Sequence, residues 1–312
     1  MRDREKGFVS AVIYVHNAAD RVGGFLEMVI RVLEENFEHS EIICVDDRSE
    51  DGSLQAVKEA SAAARTTSIS VLGMSHFHGR ERAMGAGVDL SIGDLVFEFD
   101  DTVSDLREDV VMQVYDRAME GYDIVSASPD REERLSSRLF YQVFDRFADL
   151  PYGMGTESFR LLSRRAINRV GSMNRTVPYR KVAYAESGLR MDNIHYVPAV
   201  GVGQERDKGE EGYRIGLAVD ALLLFTGVGY KFSIAMTFAM MLMSLSMTLY
   251  SIVVYATSHP IAGWTTTILF LSVAFFGLFG ISTIIIKYLQ LLLELVAKRK
   301  PYSFESIEKL TR

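Results

Sequence analysis

The sequence has almost no cysteine, no surplus of basic charge, and one long segment without any charge. Cys44 is the only cysteine, which excludes a disulfide framework and a thiolate zinc site and is typical of a reducing compartment. Acidic residues outnumber basic ones, 41 to 34. This balance argues against nucleic-acid binding through a broad basic face, because such binding draws its affinity from Lys and Arg at phosphates.

The uncharged segment extends over residues 232–286 and contains no Asp, Glu, Lys or Arg. A membrane crossing takes roughly 20 apolar helical residues, and residues 232–256 and 264–286 each supply such a run. Turn and helix-breaking residues separate the two runs, which predicts an antiparallel transmembrane hairpin. A buried helical pair in a large soluble fold is the alternative, although helices that are apolar on all faces are rare outside membranes.

Basic residues flank this hairpin and predict its orientation. Lys231 precedes the first run, Lys287 follows the second, and the connecting loop has neither Lys nor Arg. The positive-inside rule therefore predicts an integral membrane protein with two spans and both termini in the cytoplasm. Residues 212–231 are predicted to form a juxtamembrane interfacial helix and residues 287–312 a cytoplasmic C-terminal helix and tail, with burial between domain and membrane as the alternative for both helices.

The N-terminal part alternates between strand and helix patterns, which predicts an α/β domain with a mainly parallel sheet over residues 1–211. Strands are predicted at residues 8–15, 41–46, 68–72, 95–100 and 124–128, and helices at residues 20–36, 53–64, 79–91 and 109–120. Ligands of such sheets bind beyond the carboxyl ends of the strands. The residues that end each strand are therefore the candidate site residues.

Adjacent carboxylates end two of these strands. Asp46 and Asp47 follow the second strand, and Asp100 and Asp101 follow the fourth. Carboxylates brought together in this way repel each other unless a cation or hydrogen-bond donors lie between them. A nucleotide with its divalent metal meets that requirement.

The motifs that carry these residues resemble a known family. The sequence contains YVHNAAD, VDDRSEDGS, SHFHGRERAMGAG, DDTVSD and ESFRLLSRR in this order, followed by the apolar hairpin. Their order and spacing resemble family 2 glycosyltransferases, and within them the polyprenyl-phosphate group that includes dolichol-phosphate mannose synthase. The resemblance covers almost the whole chain. It implies a GT-A (Rossmann-like) catalytic domain, followed by interfacial helices and a two-helix transmembrane hairpin.

The resemblance also implies which residues bind the donor nucleotide. Asp46 and Asp47 occupy the positions where the family holds the base and ribose, a task suited to carboxylates that accept from imide and hydroxyl donors. The alternative is that this segment only shapes the turn and caps the next helix. The implied donor-binding set is completed by Val15, Asn17, Arg80 and Asp100.

The metal motif differs from the family pattern. The family's D-x-D corresponds here to Asp100, Asp101 and Thr102, so that a hydroxyl replaces the second carboxylate. The resemblance implies Mg²⁺ or Mn²⁺ held by Asp100 and Thr102, and alternation along the strand places Glu98 on the same face as Asp100. An acidic turn without metal is the alternative.

The acceptor motif differs as well. Ser158 stands where the family has an aspartate, beside Glu157, and Arg160 follows. The resemblance makes Asp100, Asp101, Ser158, Glu157 and Arg160 the catalytic candidates. A polyprenyl phosphate attacks with an oxygen that is already anionic, so it needs no strong base. Phosphates need cationic partners, for which the sequence offers Arg131, Arg134, Arg160 and Arg206.

Together these inferences predict a membrane-anchored inverting glycosyltransferase. It moves a sugar from a UDP- or GDP-linked donor to a polyprenyl (undecaprenyl or dolichyl) phosphate at the cytoplasmic face, in cell-envelope polysaccharide synthesis. Family members often form homo-oligomers, and no nucleic-acid partner is expected. Two alternatives remain open: a degenerate homologue that acts as a scaffold subunit, and a transferase whose acceptor is a glycolipid hydroxyl.

Overall fold

The structure is a computed structural model that describes residues 4–102, 106–130, 157–173, 179–198, 263–296 and 302–311, with isolated positions between 232 and 246. The chain divides into two compact units. The first unit contains Met1–Asp145, Leu150–Leu217 and Lys298–Arg312, and the second contains Arg146–Asp149 and Ala218–Ala297. The candidate site residues described below belong to the first unit.

The first unit is built on one eight-stranded sheet. Its strands are β1 (Glu5–Val15), β2 (Phe37–Asp46), β3 (Ser68–Met74), β4 (Leu95–Phe99), β5 (Ile124–Pro129), β6 (Phe159–Ser163), β7 (Met191–Tyr196) and β8 (Phe304–Lys309). Their order across the sheet is β7-β5-β6-β4-β1-β2-β3-β8. The central strands β4, β1, β2 and β3 run parallel, whereas β6 lies antiparallel between β4 and β5.

The described helices of the first unit are α1 (Val22–Asn36), α2 (Ser53–Ser61), α3 (Arg80–Leu90), α4 (Glu108–Met119), α5 (Arg164–Ser172) and α6 (Arg180–Glu186), and α7 (Gly263–Val296) belongs to the second unit. Helix α1 forms because its apolar residues recur at helical spacing: Phe25, Leu26, Val29, Ile30 and Leu33 are all buried. They pack on β1, whose last seven residues are buried on both faces. Such continuous burial is typical of a parallel strand covered by helices.

The predicted α/β fold with a mainly parallel sheet is confirmed. Each of the five predicted strands and four predicted helices in the first 130 residues corresponds to an observed element. The prediction missed β6, α5, α6 and β8. These elements are short, at five to nine residues, and short segments carry too little periodicity to be assigned from sequence.

The C-terminal segment differs from the predicted helix and tail over residues 287–312. Helix α7 continues to Val296, and the chain then forms β8, which pairs antiparallel with β3 at the edge of the sheet. Phe304–Lys309 has no regular alternation of polar and apolar residues and is exposed throughout, so its strand conformation follows from the pairing with β3.

The predicted transmembrane hairpin is not supported by the described residues. Within that part of the chain, we find no helix that combines the length and the apolar character needed to cross a membrane. Most of the first predicted span, 232–256, and the whole predicted interfacial helix, 212–231, lie outside the described residues.

Candidate active site

A small cleft opens where β1 and β4 end, at the edge of the sheet where the polar strand ends were expected to meet. From the β1 side it is lined by Tyr14, His16, Ala18 and Arg21, and from the β4 side by Asp100, Asp101 and Thr102. The cleft forms because β1 and β4 are parallel neighbours, so that their carboxyl ends lie side by side.

Asp47 lies beneath this edge and organises the backbone around it. Its carboxylate is fully buried and accepts hydrogen bonds from the Tyr14 hydroxyl at 3.1 Å and from the backbone N–H groups of His78 and Gly79, both at 2.8 Å. Gly79 has a φ of 81°, a left-handed conformation that suits glycine. In this structure Asp47 therefore anchors the turn before α3, and it does not face the cleft as a predicted nucleoside ligand would.

The other predicted donor-binding residues occupy different environments. Val15 is a buried core residue, and its carbonyl accepts from the Asp47 N–H at 2.9 Å. Asn17 has a φ of 45°, and its side-chain oxygen accepts from the Glu50 N–H at 2.9 Å. Asp46 is half-buried, and burial raises its pKa. Of these three side chains, the carboxylate of Asp46 has the best chemistry for accepting bonds from a nucleoside.

Seven charged side chains form a buried ion network next to the cleft. Its members are Glu81, Glu98, Asp100, Glu157, Arg160, Arg180 and Lys181. Strand pairing brings Glu98 on β4 directly beside Arg160 on β6, and the start of α6 supplies Arg180 and Lys181. Only Asp100 of these seven residues also lines the cleft.

Arg160 joins three carboxylates. Its guanidinium donates to Glu98 Oε2 and Asp100 Oδ2, each at 2.9 Å, and to Glu157 Oε2 at 3.2 Å. The side chain of Arg160 is only 5% exposed, so these charge-assisted bonds form where water competes little for them. Arg160 is therefore a buried ion partner in this structure.

Arg180 makes a parallel set of contacts from the other side. It donates to Glu98 Oε1 and Asp100 Oδ1, each at 2.6 Å, and to Glu81 Oε2 at 3.2 Å. The Tyr184 hydroxyl also donates to Glu98 Oε1, at 2.8 Å. Both oxygens of Glu98 and both oxygens of Asp100 are thus engaged by guanidinium groups.

The network lowers the pKa of its member Asp100 and raises the pKa of Tyr184, which donates to Glu98. Burial by itself would raise the pKa of Asp100, but the charges of Arg160 and Arg180, with a contribution from Arg80, outweigh it and hold that pKa well below its ordinary value. Burial, and then the neighbouring Glu98 carboxylate, raise the pKa of Tyr184 well above its ordinary value. Asp100 is therefore ionised and Tyr184 neutral at physiological pH.

The residues predicted to hold a divalent metal do not fit one in this arrangement. Both oxygens of Asp100 already accept from guanidinium groups, so a metal ion would have to displace these charge-assisted bonds. Thr102 is 1% exposed. Among the described residues there is no group of three His, Cys, Asp or Glu side chains placed to share a metal ion. We therefore derive no step through a metal.

The predicted acceptor residues are only partly described. Ser158 Oγ accepts from the Tyr196 hydroxyl at 2.8 Å, and Glu157 pairs with Arg160 and with Lys181, whose Nζ lies 3.0 Å from Glu157 Oε1. Glu157 is thus held between two cations. Arg131, Arg134 and Arg206 lie outside the described residues.

Sequence reasoning missed two arginines at this site. Arg180 has no recognisable motif around it, because α6 has only seven residues and the segment is far in sequence from β4. Arg21 lies four residues after Asn17, directly before α1, and its position after the first strand was the only available signal. The expectation that ligands bind beyond the carboxyl ends of the strands located the correct edge of the sheet. Which cations lie at that edge depends on tertiary packing.

A model for glycosyl transferase family 2 matches residues 10–171, more than half of the chain, so the chain belongs to glycosyl transferase family 2. The match covers β1 to α5 and includes most of the cleft and network residues. The prediction of this family from the sequence motifs is confirmed.

Individual relatives agree with this assignment. An uncharacterized glycosyltransferase (sll0501) from Synechocystis is 28% identical over 58% of this chain and 58% of its own length. An undecaprenyl-phosphate 4-deoxy-4-formamido-L-arabinose transferase from Edwardsiella ictaluri is 27% identical over 66% of this chain and 63% of its own. The chain therefore spans less than two thirds of either relative.

A solved structure shares the fold. Glucosyl-3-phosphoglycerate synthase from Mycobacterium tuberculosis, in complex with Mn²⁺, UDP and glucosyl-3-phosphoglycerate, has a TM-score of 0.50 and 16% identity over 71% of this chain and 80% of that one. This similarity confirms the predicted GT-A-like fold. The Mn²⁺ and UDP belong to that enzyme, whose fold is thus compatible with a divalent ion and a nucleotide.

Proposed function

We propose that this protein is an inverting glycosyltransferase that moves a sugar from a nucleotide donor to a polyprenyl phosphate. The observation that carries the proposal is the cleft at the carboxyl ends of β1 and β4, lined by polar side chains and backed by the buried ion network, in a chain of glycosyl transferase family 2. Polyprenyl phosphate as acceptor is supported by the undecaprenyl-phosphate transferases among the relatives.

The donor enters the cleft with its nucleoside toward β2 and its diphosphate toward Asp100. Asp46 accepts hydrogen bonds from the nucleoside, because its half-buried carboxylate ends β2 next to the end of β1; in the structure it accepts from Ser49, whose N–H lies 3.2 Å from Oδ1. Asp47 does not contact the donor in this arrangement. It holds the Tyr14 side chain and the turn before α3 in place. UDP- and GDP-sugars are the candidate donors.

The transfer itself is a direct displacement. An oxygen of the lipid phosphate attacks the anomeric carbon, a carbon–oxygen bond forms, and the bond from the anomeric carbon to the nucleotide's phosphate oxygen breaks. The nucleoside diphosphate leaves with the bonding electrons, and the configuration inverts. Because the attacking phosphate is already anionic, no side chain has to remove a proton, in keeping with Ser158 where the family has a carboxylate.

We also propose that the uncharged segment 232–286 attaches the protein to the membrane, with the catalytic unit on the cytoplasmic side. The absence of charge in that segment and the flanking basic residues support this. Attachment would keep the cleft close to an acceptor that cannot leave the bilayer.

The test is a transfer assay with detergent-purified protein, undecaprenyl phosphate, and UDP-glucose, UDP-N-acetylglucosamine or GDP-mannose, followed by mass spectrometry of the lipid. We expect a lipid-linked sugar with at least one donor and none with Asp100→Ala, provided that circular dichroism shows the variant folded. Transfer to a glycolipid hydroxyl but not to the lipid phosphate would replace the proposed acceptor.

The full ion pairing of Asp100 favours a second candidate, a homologue that binds partners without catalysis, because a family motif residue is committed to internal contacts. Failure of every donor to support transfer, together with failure of UDP and GDP to bind in calorimetry, would establish this second candidate instead.

A further inference from the structure

We propose that this chain holds the donor's diphosphate with arginine in place of a divalent cation, and that Arg21 makes the direct contact. The inference rests on the proposed donor site. It follows from three observations: both oxygens of Asp100 are paired with arginines, Arg21 lines the cleft with an unpartnered Nε, and polar side chains line the cleft between them.

Asp100 provides no uncompensated charge for a metal ion. Its two oxygens accept from Arg160 at 2.9 Å and from Arg180 at 2.6 Å. Each guanidinium has five N–H donors, of which three form the bonds to carboxylates described above. The network therefore engages Asp100 with guanidinium N–H groups, while its three cations are outnumbered by its four carboxylates, so the cation for a diphosphate has to come from outside the network.

Arg21 faces the same cleft from the β1 side. It lies at the residue before α1 and lines the cleft together with Asp100 and Thr102. Its Nε is buried, and within the described part of the chain this atom has no hydrogen-bond partner. A buried guanidinium nitrogen without a partner is costly, and a bound anion would satisfy it. Phosphate is the anion that guanidinium recognises best, through paired N–H···O bonds.

The cleft is consistent with a diphosphate between these groups. Tyr14 and His16 contribute further polar atoms to its wall, whereas the carboxylate of Asp100 is neutralised from behind by two arginines. A diphosphate that enters here meets Arg21 on the β1 side, opposite Asp100 and Asp101 on the β4 side. Departure of the nucleoside diphosphate in the transfer step would be assisted by Arg21, which stabilises the charge that develops on the leaving oxygen.

Calorimetric titration of the purified full-length protein with UDP and GDP tests the proposal. We expect the preferred nucleotide to bind in EDTA with a Kd within threefold of that in 1 mM Mn²⁺. We expect Arg21→Gln to weaken nucleotide binding at least tenfold, and to change binding of the matching nucleoside, uridine or guanosine, by less than twofold. Arg21→Lys keeps the charge but not the paired donors, so its affinity for the nucleotide should lie between those of wild type and Arg21→Gln.

Arg31→Gln is the matched control. Arg31 lies on α1, downstream of Arg21, but it is 55% exposed and pairs with Glu108 at the surface, so this variant should bind like wild type. Binding only with Mn²⁺, or equal losses for nucleotide and nucleoside in Arg21→Gln, would overturn the proposal while leaving the glycosyltransferase proposal intact. Absence of binding under both conditions, in folded protein, would overturn both.

Discussion

Removal of the Glu98 side chain should destabilise the fold more than removal of any exposed acid. Glu98 has 0% exposure and accepts from Arg160, Arg180 and Tyr184. In Glu98→Ala both guanidinium groups stay buried and keep Asp100 but lose the more deeply buried of the two carboxylates that they share, which costs about 3–5 kcal/mol. At about 2–4 °C per kcal/mol for a domain of this size, the melting temperature should fall by roughly 6–20 °C.

The measurement is thermal unfolding followed by circular dichroism at low and high salt. Asp109→Ala is the control, because Asp109 pairs with Arg107 at the surface, with side chains 47% and 57% exposed, and such pairs are worth about 0–1 kcal/mol. The Glu98→Ala loss should persist in 0.5 M NaCl, because buried pairs are screened little. A decrease of less than about 2 °C would show that the network does not stabilise the fold.

Three further predictions follow from the first unit. Gly87→Ala should destabilise the protein by about 1–3 kcal/mol in urea unfolding, because its Cβ would lie 2.4 Å from a Val12 methyl, whereas Gly85→Ala, with nothing within 4 Å, should be neutral or stabilising; equal effects would refute this packing. Asp100 has a depressed pKa in the folded state, so its contribution to stability is complete above about pH 4 and is lost as pH falls through the folded value. The melting-temperature difference between wild type and Asp100→Asn should therefore be constant from pH 8 to 5 and shrink only below that range; a difference that grows on acidification would contradict it. Truncation before β8 should increase amide exchange throughout β3 and promote aggregation, because it uncovers a long strand edge; unchanged exchange in β3 would show that β8 contributes nothing.

Much of the fold was accessible from sequence because its central strands and helices are long and regular. The apolar run of β1 and the helical spacing of apolar residues in α1 can be recognised in the sequence. The alternation of strands and helices along the chain then predicts a parallel sheet. The rule that ligands bind at strand ends also located the cleft. These are properties of local pattern, and local pattern is what a single sequence contains.

The details of the site depend on contacts that no local pattern encodes. Arg180 reaches Asp100 across 80 sequence positions, and Asp47 is internal because a turn 31 residues later donates two N–H groups to it. A motif resemblance suggested that Asp47 faces the nucleotide and that Asp100 faces a metal. Which partner a carboxylate finds is decided by packing, and here the nearest partners are a tyrosine hydroxyl, backbone amides and guanidinium groups.

The return of the chain to the sheet through β8 has a topological consequence. Residues 298–312 belong to the first unit, after residues 218–297 have formed most of the second. The segment that returns is secured within the first unit: Tyr302 donates to Asp89, the Ser303 N–H donates to His78 Nε2 at 3.1 Å, and β8 continues the ladder of β3. A protease that cuts the chain once between residues 218 and 297 would therefore leave its C-terminal fragment paired to the sheet through β8.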